Sequence, residues 1–241
     1  MIRWTIRIFL ILVAFTIFTL FYLSFYGLET DNFNSTIQNK IKIINPNLDL
    51  EFQKINILLD LKKLELKVKI TKPIIKFNNT STDLSKLNLN ISIKSFLKNE
   101  FALQRGETGL KKTNIKQFID LANQVKPSPF LFLAKEIFNK GQIEGKLIVN
   151  FDTAGKIKDD YKITGSIFNF DAKILKKFNI NKVNAKFELF KNNYSFYIVK
   201  GNINGIDLAN SEFEINKENK NLNVKANLVS RANLKNIQST L

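Results

Sequence analysis

The chain contains no cysteine and no histidine. Without thiols there is no disulfide framework and no thiol chemistry. The absence suits an oxidising compartment. Without imidazole, the commonest acid–base group and the commonest metal ligand are both missing. Acidic residues are also scarce, 21 Asp and Glu against 37 Lys and Arg, for a formal net charge of +16. Such a balance points first to nucleic acid or to an anionic membrane surface. The basic residues are nearly all lysine, however, and they are spread along the chain between apolar residues. That is the pattern of a strand's wet face, and the over-use of Lys, Asn, Ile and Phe is what an AT-rich coding sequence produces. No Arg-rich cluster or aromatic–basic motif of a nucleic-acid module is present, so no nucleic-acid partner is expected. Proline occurs only four times, at 46, 73, 127 and 129, and each marks a break between patterned segments.

One long uncharged run stands out. Ile8 to Tyr26 reads IFLILVAFTIFTLFYLSFY, 19 residues without charge or proline. As a helix it is about 28 Å long, close to the hydrocarbon thickness of a bilayer. Ile8, Leu12, Phe15, Phe18, Phe21 and Tyr26 are its candidate anchor residues. Trp4 before the run, and Tyr22 and Tyr26 near its end, fit the aromatic belts of membrane interfaces. A cleaved signal peptide would have a shorter apolar region and small residues at a cleavage site. Ser24-Phe25-Tyr26-Gly27 is too bulky for one, so the run reads as an uncleaved, single-pass anchor. Arg3 and Arg7 precede it, while Glu29 and Asp31 follow. By the positive-inside rule the N-terminus is cytoplasmic, and the long downstream part crosses despite its 35 basic and 21 acidic residues.

After the anchor (1–27), Thr30 to Ile41 reads as a short amphipathic helix. Thr30 or Asp31 would cap it, and Phe33, Ile37 and Ile41 form a stripe. From Leu48 the apolar period changes to two. Leu48, Leu50 and Phe52 are followed in the opposite phase by Ile55, Ile57, Leu59 and Leu61, which suggests a bulge near Lys54. Leu64–Ile70 and Leu87–Ile93 alternate likewise. These are half-buried antiparallel strands. Residues 28–112 thus form a helix and a first β part. Residues 113–140 read as a helical insertion broken by Pro127-Ser128-Pro129, with Pro129 near the start of its second helix. Strands return over 141–241 as a meander of hairpins with one apolar face, turning at Asp152–Gly155 and Lys191–Asn193. The chain stops soon after a strand, which reads as a truncated C-terminal edge. The fold class is mainly β, an antiparallel meander behind an N-terminal transmembrane helix.

Catalytic constellations are not apparent, and neither an enzyme nor a cofactor is expected. Asp159 and Asp160 are adjacent, so in a strand they would face opposite ways, and they read as a turn. Gly106-Glu107-Thr108-Gly109-Leu110-Lys111 lacks the spacing of a phosphate loop and reads as an ordinary loop. The sequons Asn34-Ser35-Thr36 and Asn90-Ile91-Ser92 are chance matches in an Asn-rich chain.

The order of segments resembles the N-terminal part of the AsmA-like family. The similar features are the Arg-flanked span, Gly27-Leu28-Glu29-Thr30, and Ile44-Asn45-Pro46-Asn47-Leu48-Asp49-Leu50. The alternating pair Ile55–Leu61 and Leu64–Ile70, ending at Lys72-Pro73, comes next. Leu87–Ile93 follows, and then Gly141-Gln142-Ile143-Glu144-Gly145 and Gly201-Asn202-Ile203-Asn204-Gly205 as strand openings. The resemblance implies an anchor in the inner membrane of a double-membrane bacterium. It implies a periplasmic β-sheet rolled into an open, apolar groove along which phospholipids pass between the membranes. The implied partners are membrane phospholipids and envelope proteins. Roughly ten strands would stack to only about 50 Å, too short to bridge an envelope alone. The residues that would line such a groove are Ile143, Leu147, Val149, Phe151, Ile163, Ile167, Val183, Phe187, Leu189, Ile198, Val224 and Leu228.

Two other architectures share this alternation. The same faces could close on each other as the sandwich core of a non-catalytic structural or assembly factor of the envelope. With the opposite topology, the basic domain could lie on an anionic cytoplasmic leaflet. A groove leaves its apolar face open and a sandwich buries it, so geometry separates them.

Overall fold

The computed structural model describes residues 2–32, 34–44, 46–78, 80–98, 100, 102–125, 128–174, 177–218 and 221–231. In chain order the elements begin with α1 (Ile2–Phe25), β1 (Leu28–Thr30), α2 (Asn34–Ile44), β2 (Leu48–Glu51), β3 (Lys54–Asp60), β4 (Glu65–Thr71) and β5 (Ile74–Phe77). They continue with β6 (Thr80–Ser92), α3 (Ile93–Leu97), β7 (Leu103–Asn114), α4 (Ile115–Val125), α5 (Pro129–Ile137), β8 (Phe138–Asn150) and β9 (Lys162–Ile174). The last are β10 (Phe178–Phe190), β11 (Asn193–Ile203), β12 (Ile206–Glu218), β13 (Asn221–Asn227) and β14 (Ser230–Arg231).

The uncharged run forms α1. Arg3–Phe25 is long and apolar enough to cross a membrane, with mean hydropathy 2.5, and its most apolar stretch is wholly unburied. Ile8, Leu12, Phe15, Phe18 and Phe21 are all exposed. Two threonine hydroxyls in the middle of the helix are satisfied within it, Thr16 donating to the Leu12 carbonyl at 2.8 Å and Thr19 to that of Phe15 at 2.9 Å. That removes the desolvation penalty they would otherwise carry in hydrocarbon. Tyr26 lies one residue past the helix and stacks on Tyr22 at 5.5 Å. Gly27 then turns the chain at φ +74°, its N–H bonded to the Tyr22 carbonyl at 3.2 Å. A Cβ there would stand 2.8 Å from the Ile57 carbonyl oxygen, so only glycine lets the helix end press against β3.

The expected helix from Thr30 begins later. Leu28–Thr30 pairs with Ile55–Ile57 as β1, and α2 starts at Asn34. Unpaired β3 amides offer ladder partners, which outweigh the local capping signal of Thr30; its hydroxyl instead accepts from the Asn32 N–H at 3.1 Å. Ile37 and Ile41 pack on a core of Leu50, Ile55, Val68 and Ile70, whereas Phe33 lies outside the described residues. The phase change near Lys54 is not a bulge. It is a change of partner: β2 pairs with β5, whereas β3 pairs with β4.

From β6 to β13 each strand pairs antiparallel with the next, and the main path of the sheet is β1-β3-β4-β6-β7-β8-β9-β10-β11-β12-β13, with β14 pairing β12 and β5 pairing β2 and β6 beside it. Residues 106–111 are not a loop but the middle of β7. The helical insertion is narrower than 113–140, because Asn114 still belongs to β7 and Phe138 already belongs to β8. Pro129 opens α5 behind the Ser128 cap, whose Oγ accepts from the Leu131 N–H at 3.2 Å. β7 and β8 pair directly across this insertion, so both β parts share one sheet. The apolar alternation also changes phase after Ile163, Gly165 and Ile167, to Phe168, Phe170 and Ala172, and there the cause is a true bulge. Asn169 adopts φ +47° and donates its N–H to Asn184 Oδ1 at 2.7 Å. Ile167 and Phe170 therefore pack into the same cluster.

The sheet stays open. The chain exposes 16987 Å², against about 11,000 Å² for a compact monomer of 27.8 kDa. The exposed α1 and the uncovered sheet both contribute to the excess. No second sheet closes over β10–β13 among the described residues, so the sandwich core is not formed there.

Candidate functional site

Directly paired residues of antiparallel strands share a face. The registers therefore decide whether alternating apolar residues form isolated spots or a continuous surface. One row runs Ile55–Ile70–Leu87–Thr108–Leu147–Ile163–Leu189–Tyr194–Ile215–Val224, each residue opposite the next across ten strands. Its length is about 43 Å at the usual strand spacing. A second row runs Leu84–Leu110–Gly145–Gly165–Phe187–Phe196–Phe213–Ala226. A third holds Ile143, Ile167, Ala185 and Ile198. Val149 lies in a fourth, beyond Ile57, Val68, Leu89 and Gly106.

The opposite face carries the charges. Glu107 sits between Lys86 and Lys146, with Lys146 Nζ at 3.0 Å. Burial disfavours its ionised form, but the hydrogen bonds from Lys86 and Lys146 outweigh that and hold the carboxyl below its ordinary value. Lys162 reaches Glu188 at 2.6 Å and Lys67 reaches Asp60 at 2.7 Å. The lysines thus decorate a wet face, and the sheet is two-sided: apolar on one side, ion-paired on the other.

The apolar face has three zones. At β3 and β4 it is covered by α2 and by β2 with β5, through Ile37, Ile41, Leu50 and Ile75. In the middle α4 and α5 lie over it. Ile115, Ile119 and Ala134 pack with Ile143, Ile167, Phe170 and Phe187. Gln117 Nε2 bonds the Ser81 carbonyl at 2.8 Å, and Lys135 pairs with Asp120 at 2.6 Å, so both helices are tied down. Between them and the sheet remains a cavity of about 680 Å³, lined by Leu84, Leu110, Phe118, Leu121, Leu131, Ile143, Leu147, Ile163 and Phe187 among others. Over β11–β13 the helices make no comparable contact. Tyr194, Phe196, Phe213 and Ile215 are half-buried, and Leu222 and Val224 are 62% and 57% exposed.

No protein-family model matches the chain, and no curated protein or solved structure matches it.

The structure brings most of the sequence-derived lining residues onto this face. Leu147, Ile163, Leu189 and Val224 share one row, and Ile143, Ile167 and Ile198 another. Val183 faces Phe170 and is buried. Two residues lie outside the strands. Phe151 follows the end of β8 in an isolated bridge with Ile157, and its ring reaches the edge of the face at Gly106, 3.9 Å from where a Cβ would stand. Leu228 falls between β13 and β14 and is exposed. Sequence reasoning missed Leu110, because it lay in the supposed loop, and Phe118, Leu121 and Leu131, because a helix stripe does not announce what it packs on. Phe196, Phe213 and Ile215 carried the same period-two signal as the chosen residues. Among the described residues no group of three or more acidic side chains is placed to hold a metal ion.

Proposed function

We propose that this chain is a membrane-anchored lipid-binding protein whose open apolar sheet face carries the hydrocarbon chains of membrane phospholipids. The observation that carries the reading is the uninterrupted row from Ile55 to Val224, covered at one end and open at β11–β13. An apolar strip of this length does not remain in water without a partner, since each Å² removed from water contributes about 25 cal/mol. Acyl chains fit it because eight of its ten residues are aliphatic, and the Thr108 hydroxyl is turned to the Lys86 carbonyl rather than to a ligand. Weak, repeated apolar contacts let a chain slide. Gly27 couples the anchor directly to the sheet through β3, so the apolar face starts at the membrane surface.

The resemblance to the AsmA-like family supports the same reading and adds a place, the periplasmic side of an inner membrane, with a role in phospholipid transfer or outer-membrane homeostasis. Envelope proteins are the corresponding partners.

The test is lipid co-purification from the full chain, read by mass spectrometry, with Phe213→Asp as the variant. Phe213 is half-buried between Phe196 and Ala226, outside the helical cover. Its carboxylate can stay partly wet, so the variant should fold and carry less phospholipid. A wild type that carries no lipid would overturn the reading.

A further inference from the structure

The cavity beneath α4 and α5 differs from the open face in one respect. It is roofed by the two helices, and it holds a buried polar atom without a hydrogen-bond partner. Thr82, on β6, lines this cavity, is only 3% exposed, and its hydroxyl has no hydrogen-bond partner. The other polar side chains of the lining are engaged. Thr108 Oγ1 donates to the Lys86 carbonyl at 3.2 Å, and Ser128 Oγ accepts from the Leu131 N–H at 3.2 Å. The Lys146 ammonium is turned to the opposite face, 3.0 Å from Glu107. Buried hydroxyls are satisfied in the great majority of cases, and leaving one unpaired is unfavourable. Its isolation among apolar walls marks where a ligand's polar atom would stand.

The chemistry of that ligand follows from the walls. They are apolar except at one point, so the ligand is a hydrocarbon chain with one hydrogen-bonding oxygen. The lining's only cation is spent on Glu107 across the sheet, so nothing in the cavity balances a carboxylate or a phosphate. The volume of 680 Å³ lies within the range of about 300–1,000 Å³ usual for small-ligand sites. We infer that the cavity under α4 and α5 is a discrete binding pocket for a neutral long-chain acyl ester, whose carbonyl oxygen accepts the hydroxyl of Thr82. The inference rests on the lipid-binding reading of the apolar face and assigns a subsite within it, beneath the two helices. The ester belongs equally to a monoacylglycerol or to one chain of a phospholipid entering from the open face.

The experiment uses the full chain in phosphatidylcholine nanodiscs. Three photoreactive probes carry the same diazirine in an alkyl chain of the same length: a monoacylglycerol, the free fatty acid and a phosphatidylcholine. Crosslinked peptides are mapped by mass spectrometry. An ester probe, monoacylglycerol or phosphatidylcholine, should label α4 and β8, and the fatty acid at neutral pH should label them several-fold less. Which ester probe labels them identifies the source. Thr82→Val keeps the shape and removes only the hydroxyl, so it should hold or raise Tm while reducing that labelling about three- to tenfold, the factor one hydrogen bond supplies. Thr82→Ser should retain most of it. Unchanged labelling in Thr82→Val, or equal labelling by the fatty acid, would overturn the inference. Label confined to β11–β13 would overturn the pocket alone, and absence of label from both regions would remove the lipid-binding reading as well.

Discussion

The ring of Phe187 lies over Gly165 on the neighbouring strand: a Cβ on Gly165 would stand 2.5 Å from Phe187 Cζ and 2.4 Å from the Glu144 carbonyl oxygen. Gly145 and Gly165 are themselves directly paired; the ring covers Gly165, whereas Gly145 is left open to the cavity under α4 and α5. Aromatic cover of a sheet glycine fixes register as well as filling space. It also sets a roof contact for the helices, since Phe187 packs in the cluster of Ile115, Ile119 and Ala134.

Gly165→Ala should therefore destabilise the protein by about 1–3 kcal/mol, because a backbone oxygen and a packed ring must both move. Thermal unfolding of the full chain checks this. Gly106→Ala is the control. Its Cβ would meet nothing closer than 3.8 Å, so its Tm should change far less.

How much of this was legible in the sequence depends on the distance over which each feature is decided. Alternation is local, so the strands around Leu147 or Phe187 and the two helices after Asn114 could be read directly. Partner choice is not local. The phase breaks at Lys54 and Phe168 look alike in sequence, yet one is a change of pairing strand and the other a bulge at Asn169. Gly106 and Gly109 looked like a loop because glycine usually punctuates. Here they sit opposite Val149 and Lys146 within a paired strand. Thr82 gave no signal at all, since its burial arises only when α4 crosses β6.

Acid sensitivity gives a second prediction. The Glu107 carboxyl titrates below its ordinary value of 4.5 because Lys86 and Lys146 hydrogen-bond its ionised form. A group whose folded pKa is depressed stabilises the fold above its unfolded pKa and loses that contribution as pH falls through the folded value. Glu107→Gln should lower Tm at neutral pH, and the gap to wild type should shrink as pH drops below about 4.5. A gap that stayed constant down to pH ~2.5 would show that these ion pairs do not drive it.

Topology supplies a third. Arg3 and Arg7 precede the span, and acidic Glu29 and Asp31 follow it. An alkaline phosphatase reporter fused after Leu241 should be active, because it folds only outside the cytoplasm. Reversing the pair, Arg3→Glu with Arg7→Glu, should reduce that activity. Activity of a cytoplasm-specific reporter in the unmodified chain would place the sheet on the other side.

The intact mass of the purified protein addresses the anchor. With the span retained, Trp4 through Tyr26 belong to the mature chain, which stays with the membrane through alkaline washing. A mass corresponding to a start after Gly27 would identify the run as a cleaved signal.

The central claim is that lipid lies on one face of the sheet and not on the other. A photoreactive phenylalanine analogue placed at Phe213, and separately at Glu212, which points to the opposite face one residue away, tests it in living cells. The account predicts phospholipid adducts at position 213 and none at position 212. Adducts of equal yield at both positions, or at neither, would contradict it.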